Sequence, residues 1–454
     1  MISFLYIYMV IKYLISCKKT SELIFLKIEQ VIFCFKTVNT YKVSATDFSR
    51  KRKQSFSSTV LFLLNLSTKS LSLEIENFVG LFKIYLDIKT FTKSAFVQYR
   101  KKIKPDIFRD LSKVIVDEFY TDNESGVKLW NGFRLLAVDG SRLTLPNTEE
   151  LKQIYGQIRN QEHIDVFQAR VSVLYDLINN YIIDGLLSPI AIGEGQLALE
   201  HLLHVKENDI VIYDRGYPSF NLIYEHLKQG SDFLMRAKIS FSNVTREFIK
   251  SGKSTEIVSI YPGQRNKKLI VKEYDKKASV KVRLVRVNLP CGEVELLITS
   301  LLDITKYNTN IFKELYFKRW GVESFYDELK NKLKVEYFSG YSNQSIMQDF
   351  YAALFVSNVQ TLIVSELTDE INEQTKGARY KYKVNSNLSY GFLKNRIVTL
   401  FFSENEMNET IKELKTLFKK HIIPIRPNRS NLRNIDKYSK RLKPKVTKNQ
   451  KDAL

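Results

Sequence analysis

Cysteine is scarce in this chain: three residues in 454, Cys17, Cys34 and Cys291, widely spaced. That excludes a disulfide framework and a cysteine-ligated zinc cluster, and it fits a reducing compartment. Histidine is scarce too, five in all, with one close pair, His201 and His204, inside an apolar helical run. No cysteine stands near that pair to complete a tetrahedral site, so no metal role is expected for it. The apolar opening, residues 2 to 16 (ISFLYIYMVIKYLIS), is interrupted by Lys12, is too short to span a bilayer and lacks the basic residues that precede a secretory core. Neither a signal nor a membrane anchor is expected. Acid is in deficit: 49 Asp and Glu against 70 Lys and Arg leave a net charge of +21. Such a balance favours a polyanionic partner, nucleic acid ahead of an anionic membrane surface, and a glycosidase with paired carboxylates would leave it unexplained.

What is present is a globular balance, 44% hydrophobic and 26% charged, in a chain long enough for two or three domains with real cores. The stretch from 315 to 334, LYFKRWGVESFYDELKNKLK, organises the rest. On a helix, Tyr316, Arg319, Glu323 and Lys330 fall within an arc of roughly 60°, sharing one face. No Gly or Pro follows Gly321 in the run, and Leu315, Trp320, Leu329 and Leu333 supply apolar positions, so one helix is expected. A solvated charged face with an ordinary Arg319 and Glu323 pair is the plain alternative. Two acids upstream weigh against it.

Residues 43 to 125 carry the basic clusters Arg50 to Lys53 and Arg100 to Lys104 beside amphipathic runs, which reads as a helical DNA-binding region. Residues 126 to 238 alternate strands and helices, the mark of an α/β domain with a mixed sheet. FRLLAVDGS reads as a strand ending on Asp139 with Gly140 and Ser141 as turn, and DIVIYDRGY as a strand ending on Asp214. Asn179 and Asn180 mark a hairpin between two further strands. Both aspartates therefore belong at the rim where open α/β sheets build their sites. Residues 239 to 308, with short β-branched runs such as KLIVKEYD and KVRLVRVNL, read as a β-rich insertion; residues 309 to 365 return to the core, and 366 to 454 form a helical region with a basic tail that orders on meeting an anion.

Two strand-end aspartates and a helical glutamate repel one another unless hard divalent cations neutralise them, and carboxylate oxygens are the donors Mg²⁺ prefers. Two such ions clamp a scissile phosphate, and Arg319 and Lys330 would hold its oxygens.

The chain resembles the DDE transposases of the insertion-sequence-four family. The resemblance rests on VDGSRL around Asp139, YDRGYPSF around Asp214 and the pattern Y-x2-R-x3-E-x6-K met by Tyr316, Arg319, Glu323 and Lys330. It runs from about residue 43 to the basic tail. It implies an RNase H-like catalytic core with the insertion between its last strand and the helix bearing Glu323. Metal ligands carry over as Asp139, Asp214 and Glu323, with Mg²⁺ as cofactor and Mn²⁺ able to substitute. Contacts to the transferred DNA end carry over as Tyr316, Arg319 and Lys330, with Arg215 added because it follows the second acid.

Some relatives place an insertion tryptophan beside a flipped base, but the tryptophans here are Trp130 and Trp320. Tyr307 or Phe312 would have to serve, or another mechanism operates. The implied activity is cut-and-paste transposition of an insertion sequence, through strand cleavage and 3′-hydroxyl strand transfer. Its partners are double-stranded DNA, both terminal inverted repeats and target, and a second copy of the chain as a homodimer in the synaptic complex. Neither a small-molecule cofactor nor a membrane is implied, and the setting is the bacterial cytoplasm at the nucleoid. The rivals are an RNase H-like nuclease without strand transfer and a transposase-derived DNA-binding regulator.

Residues 1 to 42 lie outside the resemblance. They are rich in Ile, Phe, Tyr, Lys and Leu without a clear helical stripe, and Met9 is the only methionine between Met1 and Met235. The reading is translated sequence upstream of the true start, which predicts poor packing; the competing reading is an amphipathic helix that covers core surface.

Overall fold

The computed structural model describes residues 20–50, 52–65, 69–122, 126–159, 165–262, 279–289 and 292–426. The basic tail from 427 and the first 19 residues lie outside them, as does the predicted run KLIVKEYD. The chain divides into two compact units: Met1–Val127 with Thr144–Gln168 and Asp327–Leu454, and Lys128–Leu143 with Ala169–Tyr326.

The first unit is helical around one core helix, Asn343–Ser365, whose residues from Phe350 to Ile363 are all buried. A helix buried on all sides must be wrapped by neighbours, and Asp106–Asp122, Phe56–Leu64 and Glu404–Lys420 do this. No single described helix is long and apolar enough to cross a membrane; this one passes such a test only together with Thr368–Gln374, across a break bent by 48°, and its burial inside the unit accounts for its hydropathy. Near its start the buried Arg100 guanidinium donates to Gln348, Ser339 and Asp349 at 2.7 to 2.9 Å. Part of the predicted DNA-facing cluster is thus committed to internal structure.

The expectation that residues 1 to 42 pack poorly is overturned for the described part. Thr20–Phe33 is a helix whose Ile24, Phe25, Ile28 and Ile32 are at most 1% exposed. Phe25 meets Phe401 edge-on at 6.0 Å between ring centres. Ser21 donates to Glu366 from both its backbone and its hydroxyl, and Lys415 pairs with the same carboxylate. The apolar residues recur at helical spacing after all; the surrounding Phe and Leu hid the stripe.

The second unit is built on a sheet of mixed direction. The strands in chain order are β1 (Arg134–Thr144), β2 (Gln157–Arg159), which belongs to the first unit and pairs the first residues of β3 (Asp165–Asp176), then β4 (Ile182–Pro189), β5 (Asp209–Tyr213), β6 (Asp232–Ala237), β7 (Thr255–Ile260), β8 (Val280–Asn288) and β9 (Val294–Thr299). The spatial order is β4-β3-β1-β5-β6-β9-β8-β7. β1, β5 and β6 run parallel. All five residues of β5 and the first five of β1 are buried, as strands covered on both faces require. The hairpin expected at Asn179 and Asn180 joins β3 to β4, with Asn180 at φ 62° and the Asp176 carboxylate accepting from the Ile178 and Asn179 amides at 2.7 Å.

The five strands β4-β3-β1-β5-β6, followed by an insertion and then the helix of Glu323, make the core RNase H-like in the order the resemblance implied. Among the described residues the insertion forms no body of its own. β9 pairs antiparallel with β6, and β8 and β7 continue outward, so the core of Leu136, Val211, Phe233 and Met235 runs on into Leu284 and Ile298.

Candidate active site

Register places the first two acids. In the parallel ladder of β1 and β5 the last partners are Val138 and Tyr213. One step on come Asp139 and Asp214, side by side on backbones about 4.8 Å apart. The expectation that the first strand ends at Asp139 needs correction: β1 continues to Thr144, and Asp139 sits within it where its parallel neighbour stops. The buried Tyr326 hydroxyl donates to the Asp139 carbonyl at 2.7 Å, and the Gly140 amide donates to the Asp139 carboxylate at 2.9 Å.

The single helix expected over 315 to 334 is three pieces. Thr309–Phe317 ends at Lys318, Trp320–Asp327 begins anew, and Glu328–Lys332 is a π-helical turn. The restart lets Gly321 approach Leu177, whose Cδ2 would stand 3.1 Å from an added Cβ. Arg319 lies at the break, and its guanidinium spans the acids, 2.6 Å from Glu323 and 3.6 Å from Asp139. Tyr316, at the end of the first piece, donates its hydroxyl to Asp214 at 3.0 Å. The Arg319 guanidinium also lies near the faces of Tyr316 and Trp320, 5.9 and 5.7 Å from the ring centres.

The second unit therefore brings together Asp139, Asp214, Glu323, Tyr316 and Arg319. Arg215 is exposed on the turn after Asp214. Lys330 belongs to the first unit, half-buried on the π-helical turn; burial lowers its pKa and the Glu336 carboxylate works against that. Tyr307 and Phe312 are not free to meet a base, which corrects that expectation. Phe312 is fully buried under the Arg283 guanidinium, and Tyr307 is buried against Trp130. The exposed large aromatics of this segment are Phe317 and Trp320. His201 is structural: its ring nitrogens bond Asp184 at 2.8 Å and Ser172 at 2.9 Å inside the core.

Burial pushes the Asp139 carboxyl up to about 6; the Gly140 amide and Arg319 resist this, while Glu323 and Asp214 add to it. For Arg319, burial opposes the charge, but the bond to Glu323 and the surrounding acids leave its pKa raised. Among the described residues no three His, Cys, Asp or Glu side chains stand, as placed, where together they could hold a metal ion. The carboxylates instead turn to Arg319 and Tyr316. They fit a divalent ion nonetheless: all are hard oxygen donors, and a buried carboxyl beside two other acids gains from added positive charge.

Sequence reasoning missed Glu194, the first residue of the helix Glu194–His201. A Cβ on Gly140 would stand 3.1 Å from its Cγ and Oε1, so glycine at 140 makes room for this carboxyl. An acid in the first turn of a helix is ordinary, and nothing in the local sequence singles it out.

Residues 130–359 match the family model described as the transposase DDE domain. The chain is similar to the transposase InsG for insertion sequence element IS4 of Escherichia coli (strain K12), 22% identical over 242 residues that make up 53% of each protein. It is also similar to "Putative transposase InsZ" of the same organism, 25% identical over 170 residues, 35% of this chain and 54% of that protein. The chain spans about half the length of the curated relatives it matches. A cryo-EM structure of a piggyBac transposase synaptic complex with hairpin DNA aligns with a TM-score of 0.42 at 10% identity, covering 87% of this chain and 81% of that one. With the family model spanning half of the chain, over the segment that carries Asp139, Asp214 and Glu323, the chain belongs to the transposase DDE domain family.

Proposed function

We propose that this chain is a cut-and-paste DNA transposase. The observation that carries this reading is the meeting of Asp139, Asp214 and Glu323 around the Arg319 guanidinium. A bound divalent ion, Mg²⁺ with Mn²⁺ able to replace it, supplies Lewis acidity at the scissile phosphate and at the attacking oxygen. Asp139, Asp214 and Glu323 would hold it. Arg319 has a planar fork suited to two phosphate oxygens, and the Tyr316 hydroxyl beside Asp214 is a second donor facing the same place. Arg215, exposed next to the second acid, and Lys330 are contacts to the DNA backbone.

In the first step water attacks a phosphodiester at the element end; one P–O bond forms as the bond to the 3′ oxygen breaks, leaving a 3′ hydroxyl and a 5′ phosphate. That hydroxyl then attacks further phosphodiesters, exchanging one P–O bond for another at each step, so no nucleotide hydrolysis is needed. The partners are double-stranded DNA, as terminal inverted repeats and target, and a second copy of the chain that pairs the two ends. The setting is the bacterial nucleoid. The test is the full chain with DNA bearing the repeats that flank its gene: joined products that need Mg²⁺ support the reading, and nicked but never joined products point to a nuclease instead.

A further inference from the structure

The acids at this site outnumber the three that the sequence motif provides. We propose that Glu194 is a fourth metal-holding carboxylate, kept beside Asp139 and Asp214 by an ion pair with Arg170 until a divalent ion arrives. This rests on the metal-dependent reading above. Its first support is position. The Glu194 carboxyl packs on Gly140, the residue after Asp139, with Cδ at 3.2 Å from where a Cβ would be, and Oε2 reaches 3.9 Å from the same point on Gly216, two residues after Asp214. The carboxyl thus touches both backbone segments that present the acids.

Its second support is charge. Arg170, on β3, donates from Nη1 to Glu194 Oε1 at 2.5 Å and from Nη2 to the Ile190 carbonyl at 3.3 Å. The Glu194 side chain is 41% exposed, so its other oxygen is open to an incoming ligand. The third support is independent of both. Tyr217 is 3% exposed, and among the described residues its hydroxyl has no hydrogen-bond partner. Asp139, Glu194 and Asp214 all act on that hydroxyl electrostatically. A buried donor without an acceptor is rare in folded proteins. Here it faces the acids, ready for an oxygen that comes with the ligand: a water, a phosphate, or a Glu194 carboxylate turned away from Arg170.

The plain alternative is that Glu194 only anchors its helix to Arg170. Calorimetric titration of the full chain with Mn²⁺ alone separates the two. Glu194→Gln is expected to weaken Mn²⁺ binding by at least about tenfold. Arg170→Gln breaks the same ion pair yet keeps the carboxylate, and it should bind Mn²⁺ as tightly as the parent or more so. Asp139→Asn is the control for the three-acid site. An isotherm for Glu194→Gln that overlays the parent, with binding lost in Asp139→Asn, overturns the role of Glu194 and leaves the three-acid site standing. Equal weakening in Glu194→Gln and Arg170→Gln also overturns it, since the ion pair alone would then explain the loss. Unchanged binding in Asp139→Asn removes the metal site itself, and this inference with it.

Discussion

Replacing Asp139 with asparagine is expected to make the metal-free protein more stable while ending its response to divalent ions. Burial first, then Glu323 and Asp214, move this carboxyl from an ordinary 3.8 up to about 6, against the pull of the Gly140 amide and Arg319. The folded value lies above the unfolded one, so the native state binds the proton more tightly. Whatever stability the group allows is fully present below pH 3.8 and is lost as pH rises through 6. A gap of about two pH units makes that loss about 3 kcal/mol at pH 7.5. Asparagine keeps the shape and can still accept from the Gly140 amide, and Arg319 keeps its 2.6 Å bond to Glu323. The Arg319 attraction across 3.6 Å is already contained in the value of about 6, so the net gain is about 3 kcal/mol. Urea denaturation with chelator at pH 7.5 reads it directly, and at pH 5 the gap between variant and parent should roughly halve. Mg²⁺ at about a hundred times its Kd should then add about 2.7 kcal/mol to the parent and nothing to the variant. A variant no more stable than the parent at pH 7.5, or a gap that ignores pH, would refute the reasoning.

Glu323→Gln should abolish strand cleavage while DNA binding in a gel-shift assay stays within about twofold, because an amide keeps shape but loses the charge an ion needs; nicking at the parental rate would remove Glu323 from the ligand set. His226, buried between Tyr213 and Ser231, is held down to about 3 by desolvation. Its contribution is therefore complete above pH 6.5 and drains away as pH falls toward 3, by about 2 kcal/mol between 6.5 and 5; denaturation curves of the parent and of His226→Gln at pH 7 and 5 should show that slope in the parent and a flatter one in the variant. Phe25→Ala should cost about 3 kcal/mol in urea denaturation, and a chain beginning at residue 43 should lose stability and aggregate; equal stability of the shortened chain would mean that the helix Thr20–Phe33 contributes nothing.

Chemistry was more legible in the sequence than local geometry. Asp139, Asp214 and Glu323 could be picked out because each sits in a short motif of fixed residue types. The break at Lys318 could not, since every residue from 315 to 334 tolerates a helix; the interruption is imposed from outside, where Gly321 closes on Leu177 and Arg319 reaches two carboxylates. Tyr307 and Phe312 were offered as partners for a flipped base because sequence carries no record of which ring a buried arginine or a tryptophan will cover. The extent of β1 was misjudged for a related reason: Gly140 and Ser141 look like a turn, but β1 runs on through both, and a side chain at 140 would crowd Glu194.

The placement of the two aspartates is set by residues that take no part in the chemistry. A slip of one residue between β1 and β5 would turn one acid to the opposite face of the sheet and part it from the other. Both strands are buried throughout the paired segment, so alternation of polar and apolar side chains cannot hold the register here. What can is the first pair of the ladder. Arg134 stands directly across from Asp209, and its guanidinium grips that carboxylate through two bonds, Nε at 2.8 Å and Nη2 at 2.5 Å. A buried ion pair of this kind adds little net stability, but any slipped register would leave both charges buried and unpaired. Four residues further along each strand the chain arrives at Val138 and Tyr213, and the next step delivers Asp139 and Asp214 together. The ion pair at one end of the ladder thus fixes the distance between the carboxylates at the other, which is the dimension a metal-bridged phosphate depends on.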